Sequence, residues 1–410
     1  MRINIIHILL FILSFSGKAQ SFHQFPYYDF IKYDSNKIVF KGDTMAFENL
    51  YNKLDDVIFE GKGQINMLHI GGSHIQAGIW SGTIRENLQS LYPGIVSGRG
   101  LTFPYRAAKT TNPSDYTTRY GGYWTGCRNV EKSKACTLGL MGISVRTADP
   151  NAWIRLYDNP NKGIHYSFTK ATVFHSFDNN EYDFYFQNDT AAIITHFPEY
   201  GYSQVVFSRQ MDTLYFHVKK STDSQTQFTC YGFNMESDQP GIYYNAIGNN
   251  GAAIPAYLRC ELLEKHLQAC KPDLVVLSIG INDAYYPSFD SNEYKANYKA
   301  LIRRIKSVSP NCAILFTTNN DSYYKKRYAN KNAFKVKQAM EELSKELDTG
   351  LWDMFTIMGG LNSIDKWDYE DIAKSDKIHF NHQGYELIGD LLSSALIQSY
   401  DQHIQRKFGN

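Results

Sequence analysis

The sequence predicts an α/β protein whose parallel sheet is interrupted by an inserted β block. Three observations carry this expectation. Residues 273–279 (Asp-Leu-Val-Val-Leu-Ser-Ile) are apolar almost throughout, as in a strand covered on both faces. The apolar run at 65–70 ends in Gly71-Gly72 and gives way to helical spacing, a strand–turn–helix unit. Between Pro104 and Pro240 helical periodicity disappears, and short alternating runs replace it.

The elements follow in order. Phe47, Leu50, Tyr51, Leu54 and Val57 recur at helical spacing and predict a helix over 46–59. A strand at 65–70 and a helix at 75–91 follow. The β block then supplies runs at 152–157, 166–174, 182–187, 191–196, 204–208, 213–219 and 227–233. In 213–219, Leu214, Phe216 and Val218 face inward, and Tyr215, His217 and Lys219 face outward. Repeated short strands between Gly, Asn and Asp turns predict a β-sandwich. The α/β pattern returns with a strand at 242–247, the turn Gly248-Asn249-Asn250-Gly251 and a helix at 254–269. Next come a strand at 273–279, a helix at 292–308, a strand at 313–317 and a helix at 332–347. A strand at 351–356 and a helix at 383–399, N-capped by Asn381, complete the set. The expected organisation is a discontinuous domain of residues 21–104 and 240–403, with 105–239 inserted.

Residues 1–20 have the pattern of a secretory signal. Arg2 is followed by a mostly apolar stretch and then by Gly17-Lys18-Ala19. The stretch is short for a membrane span, and no later segment is apolar enough to be one. The expected localisation is export, to the periplasm or beyond. Removing the segment leaves 40 basic against 41 acidic residues, a net charge of −1. A nearly neutral chain lacks the basic footprint of a nucleic-acid binder. Among six cysteines, Cys127 and Cys136 are close enough to bridge a hairpin, whereas Cys260, Cys270 and Cys312 sit in apolar patterns that favour buried thiols. There is no Cys-x-x-Cys, metal motif or nucleotide loop, so no metal or cofactor is expected.

Three short segments carry chemistry. Ser73 stands where the first strand turns into a helix, behind two glycines that let the backbone bend and a substrate approach. Asn282, in Gly280-Ile281-Asn282-Asp283, follows the most apolar strand, at the strand end where open α/β sheets place ligands. Its amide can donate to an oxyanion, together with the backbone amides of Ser73 and a glycine of the 248–251 turn. Asp376 precedes His379 by three residues, so its carboxylate can hold the imidazole Nδ1–H and leave Nε2 as a base. A serine, an oxyanion-hole asparagine and an Asp/His pair, each at the end of an expected strand, are the parts of an acyl-transfer site.

Gly71-Gly72-Ser73-His74, Gly251, Gly280-Ile281-Asn282-Asp283 and Asp376-Lys377-Ile378-His379 resemble the four blocks of the SGNH (GDSL-type) esterases and lipases. The resemblance implies a flavodoxin-like, three-layer α/β/α hydrolase domain. It also implies that Ser73, Asp376 and His379 are catalytic, and that Ser73, Gly251 and Asn282 form the oxyanion hole. Gly248 stays open as an alternative to Gly251. Ser73-His74-Ile75-Gln76, then Gly98-Arg99-Gly100-Leu101-Thr102-Phe103-Pro104-Tyr105, then a β insert, resembles bacterial peptidoglycan O-acetylesterases. There the insert is jelly-roll-like and similar to a carbohydrate-binding module. This implies an acetylated polysaccharide as substrate. Acetylated xylan, another glycan or a lipid ester is the alternative. Gly72 departs from the family, which usually has Asp there. It is the one support for a glycan-binding protein with a vestigial hydrolase domain. Outward aromatics such as Tyr215 are candidates to stack on sugars, although edge packing is the simpler role for any one of them.

Overall fold

The computed structural model describes residues 26–92, 97–159 and 166–409. The expected secretory segment lies outside them. Among the described residues no helix is long and apolar enough to cross a membrane.

The central sheet has six strands: β1 (Ile38–Phe40), β2 (Gln64–Gly71), β3 (Gly241–Gly248), β4 (Leu274–Ser278), β5 (Ala313–Thr317) and β6 (Gly350–Trp352). Their spatial order is β1-β6-β5-β4-β2-β3. All neighbours pair in parallel except β1, an antiparallel edge on β6. Counting only the parallel strands in chain order, the sheet runs second, first, third, fourth, fifth, the flavodoxin-like order. The order reverses beside β2, so its carboxyl end and that of β4 border the crevice where such sheets bind ligands. β4 and β5 are buried along almost their whole length, which explains their continuous apolar sequence. The helix Met45–Glu60 buries Phe47, Leu50, Tyr51, Leu54 and Val57. The last helix, His382–Phe408, is capped by Asn381, whose side chain accepts from Gly384 N–H.

Residues 100–236 supply two further sheets. A seven-stranded antiparallel sheet includes Phe168–His175, Tyr202–Met211 and Phe228–Glu236, and a four-stranded one includes Trp153–Asp158 and Thr213–Lys219. The inward residues expected in 213–219 are the buried ones. Gly100–Thr102, before the expected boundary at 104, pairs with Phe228–Glu236. Cys127 and Cys136 form a disulfide, and Cys230, Cys260, Cys270 and Cys312 are buried thiols.

Four expected elements are corrected. The helix at 75–91 is two, Ser73–Gln76 and Ile79–Gln89, broken at Gly78. Gly78 has φ +75°, and a Cβ there would lie 2.5 Å from Pro113 Cβ and 2.9 Å from Ser114 N. Gly78→Ala is therefore expected to cost about 1–3 kcal/mol, read as a lowered urea midpoint. The helix at 254–269 divides into Ile254–Leu258 and Leu263–Cys270, because Arg304 takes the carbonyls of Leu258 and Cys260. The strand at 351–356 stops at Trp352, where Asp353 caps a short helix by accepting from Thr356 N–H. The last helix continues past Ser399, since Tyr400 and His403 both bond Asp55 of the first helix.

Arg85, Asp115 and Arg99 form a buried ionic cluster between the helix Ile79–Gln89 and the chain that enters the insert. Asp115 Oδ2 lies 2.7 Å from Arg85 Nη1 and 2.9 Å from Arg99 Nη2. Burial raises the Asp115 pKa, but the two guanidiniums outweigh it and hold the carboxyl below its usual range. Arg85 also donates to the Tyr244 carbonyl in β3.

Candidate active site

The turn after β2, the turn after β3, the turn after β4 and the loop before the last helix meet at the carboxyl edge of the sheet. Ser73 opens the short helix Ser73–Gln76, directly after Gly72. Its hydroxyl donates to His379 Nε2 at 2.8 Å. The opposite ring nitrogen, His379 Nδ1, lies 2.8 Å from Asp376 Oδ2. An Nδ1–H facing the carboxylate leaves the Nε2 lone pair for the serine proton. Asp376 Oδ1 accepts the backbone N–H groups of Ile378 and His379, so both carboxylate oxygens are engaged. Burial acts to raise its pKa. The His379 backbone and ring hydrogen bonds prevail and keep it below the usual value, so it is ionised at neutral pH.

The Asp376–His379 turn is held from both sides. Lys377, with φ +58°, sends its ammonium to Asp365 and Asp368. Its carbonyl accepts from Tyr323 N–H, and the His379 carbonyl accepts from Lys374 N–H.

One pocket brings together Ser73, Gly251, Asn282 and His379. Asn282 Nδ2 donates one hydrogen to the Ala252 carbonyl at 2.9 Å, which orients the amide and leaves its second N–H. Gly251, exposed with φ +83°, lines the pocket. Gly248 does not. It is buried at the end of β3, where a Cβ would meet Gln76 N at 2.3 Å and Gly72 O at 2.7 Å. Gly251 thus lines the pocket with Ser73, whereas Gly248 is packed against the backbone of the serine turn. Asp283 is half-buried beside Asn282, where it accepts from the Ile254 N–H, and desolvation pushes its carboxyl up to about 7.

Gly72 leaves the nucleophile turn without the family's usual Asp, and other groups brace it. The Tyr257 hydroxyl donates to the Gly71 carbonyl at 2.6 Å. Gln76 Oε1 accepts from Asn250 N–H at 2.7 Å, and its Nε2 donates to the Thr111 carbonyl at 2.8 Å. Gln76 therefore ties the serine helix to the turn that carries Gly251. Neither Tyr257 nor Gln76 is among the residues that the sequence alone assigns to the site. Gln76 closes the Ser73-His74-Ile75-Gln76 motif, one helical turn beyond Ser73. His74 packs against the triad from behind. Its ring stands 5.1 Å from that of His379, and its Nδ1 bonds the Tyr385 hydroxyl at 2.9 Å. Burial, reinforced by the neighbouring His379, pushes His74 down to about 3. It thus sits beside His379 as a neutral ring.

Residues 231–387 match the model of the GDSL-like Lipase/Acylhydrolase family. The chain carries a GDSL-like acylhydrolase domain. The matched span contains Gly251, Asn282, Asp376 and His379, while Ser73 precedes the insert. No curated protein matches the sequence. A peptidoglycan O-acetylesterase structure is similar over 89% of this chain and 99% of its own, with TM-score 0.75 and 20% identity. An acetylxylan esterase from Geobacillus stearothermophilus aligns over 39% of this chain and 73% of its own, with TM-score 0.31 and 19% identity. The GDSL-like domain is a carboxylic ester hydrolase of the SGNH type, similar in fold to the peptidoglycan enzyme.

Proposed function

We propose that the protein is an exported serine esterase that removes O-acetyl groups from a bacterial cell-wall polysaccharide, with peptidoglycan as the substrate. The continuous hydrogen-bond chain from Ser73 through His379 to Asp376 carries the chemistry. Similarity in fold to a peptidoglycan O-acetylesterase over 89% of this chain supports the choice of substrate.

Ser73 Oγ attacks the acetyl carbonyl carbon while His379 Nε2 takes its proton. The ionised Asp376 stabilises the imidazolium. The tetrahedral oxyanion is met by the second Nδ2–H of Asn282 and the backbone N–H groups of Ser73 and Gly251. Imidazolium returns the proton to the sugar alcohol as the C–O bond breaks. Water, deprotonated by His379, then releases acetate from the serine. Asn282→Ala removes one oxyanion donor and is expected to lower kcat by about 100- to 1,000-fold with little change in KM. Steady-state kinetics on a soluble acetyl ester check this, and a change confined to KM would contradict it.

The substrate is tested by acetate release from O-acetylated peptidoglycan, with acetylated xylan alongside and Ser73→Ala as control. Serine-dependent release from peptidoglycan supports the proposal. Release from xylan alone discards the wall polysaccharide and retains the esterase.

A further inference from the structure

The loop after β5 carries a small hairpin that the ester chemistry does not use. Tyr323–Tyr324 pairs with Tyr328–Ala329, and Lys325, Lys326 and Arg327 stand between them. The Arg327 N–H donates to the Tyr324 carbonyl at 3.1 Å and closes the turn. The two central residues, Lys325 and Lys326, have φ +51° and +58°. Hairpin turns with positive φ at both central positions favour Asn and Gly, because a Cβ there crowds the following carbonyl oxygen. Two adjacent lysines suit this turn poorly, so local folding does not account for them. Strain of this kind persists where the surroundings enforce it, and it gathers at ligand clamps.

The surroundings tie the hairpin to the catalytic pocket. The Tyr323 N–H donates to the Lys377 carbonyl, inside the Asp376–His379 turn, at 2.9 Å. The Lys325 N–H donates to the Tyr285 hydroxyl at 3.4 Å, and the Tyr324 ring packs 5.0 Å from that of Tyr285. Tyr285 in turn lines the pocket of Ser73, Asn282 and His379. Lys325, Lys326 and Arg327 are all exposed at this rim. Two carboxylates of the adjoining segment are already engaged. Asp365 accepts from the Tyr323 hydroxyl and from Lys377, and Asp368 also takes Lys377. Among the described residues no carboxylate forms an ion pair with any of the three cations. Lys374, exposed and likewise without a carboxylate, adds a fourth cation on the pocket wall. The chain beyond residue 20 has a net charge of −1, so this concentration of positive charge is local.

We infer that this rim selects acetylated polymers that carry carboxylates near the ester, and holds them by those carboxylates. The inference rests on the esterase reading of Ser73 and narrows its substrate. Four cations of one sign around a pocket steer an anionic strand toward it. Arg327 offers a carboxylate its planar fork, and the lysines act as point charges. A neutral chain such as acetylated xylan gains neither effect. These contacts are the same in substrate and transition state, so they act on KM.

The test compares O-acetylated peptidoglycan with the same material after its carboxyl groups have been coupled to methylamine, which removes the charge and keeps the esters. The parent is expected to show a kcat/KM about tenfold higher on the charged form, with the difference in KM and abolished by added salt. Lys325→Asn combined with Lys326→Gly suits the turn, so it should raise the thermal midpoint while cutting that preference at least about threefold. A hairpin with a purely structural role would leave the preference where it was. Arg327→Gln should reduce the preference with the turn retained, and Arg327→Lys should restore most of it. Sedimentation of the Ser73→Ala protein with the two forms of peptidoglycan makes the same comparison without turnover. Tighter binding to the charged form without any hydrolysis by the parent would remove the esterase reading and keep the rim. Equal kcat/KM and equal binding on the two forms would overturn the inference, as would an Asn-Gly variant with the parent's preference.

Discussion

Ser73→Ala is expected to lower kcat/KM for acetyl esters by about four orders of magnitude or more, with the fold unchanged. The proposed nucleophile has no substitute within the pocket. The remaining groups, Asn282 and the backbone amides, can polarise a carbonyl but cannot form an acyl intermediate, so only a residual rate over water should survive. The fold should persist because Ser73 is partly exposed and its side chain bonds only His379. Asp376→Asn should also cost about 10⁴-fold in kcat, since the amide oxygen keeps the Ile378 and His379 N–H groups, the NH2 then donates to Nδ1, and Nε2 is left protonated and unable to take the serine proton. Circular dichroism and the thermal midpoint, recorded beside acetate release, separate lost chemistry from lost structure. A Ser73→Ala protein that hydrolyses esters within tenfold of the parent rate would exclude the assignment.

The largest effect on stability is expected from Asp115→Ala. The carboxylate is buried between Arg85 and Arg99, so its removal leaves two guanidiniums facing each other without compensation. Breaking a buried pair in this way typically costs about 3–5 kcal/mol. Urea denaturation should show the loss as a shifted midpoint. Because Arg85 lies on a helix of the α/β layer and Asp115 leads into the insert, the two parts should separate into distinct unfolding transitions. A loss below about 1 kcal/mol would mean that water replaces the carboxylate at little cost.

The elements legible in the sequence are those whose signal is local. β4 announced itself because burial on both faces demands apolar residues at every position. The Asp376–His379 pair was legible because a hydrogen bond between residues three apart needs only one turn. The strands Tyr116–Gly121, Thr125–Arg128 and Ile143–Thr147 carry no such local signal. Their inward positions include Thr118 and the disulfide-bonded Cys127, so apolar alternation is weak. The break near Arg259 depends on Arg304, more than forty residues away, and nothing local encodes it. The bracing of the serine turn by Tyr257 has the same character, since a tyrosine in a helix reads as core until its hydroxyl finds the Gly71 carbonyl. The spacing of the 248–251 turn could not choose between its glycines. The pairing of β3 with β2 makes Gly248 a strand residue opposite Gly71 and leaves Gly251 in the turn beyond it.

That pairing also bears on how the molecule is made. The strand that presents Ser73 lies between β3 and β4, and the whole insert separates it from both in the chain. Neighbours so distant must bear a large loop-closure entropy before any contact rewards it, and such topologies fold slowly. The antiparallel insert can collapse first from its own hairpins, after which its ends hold β2 and β3 close together. Mutations that weaken the insert should therefore slow the recovery of esterase activity on refolding, even where they leave the finished active site untouched.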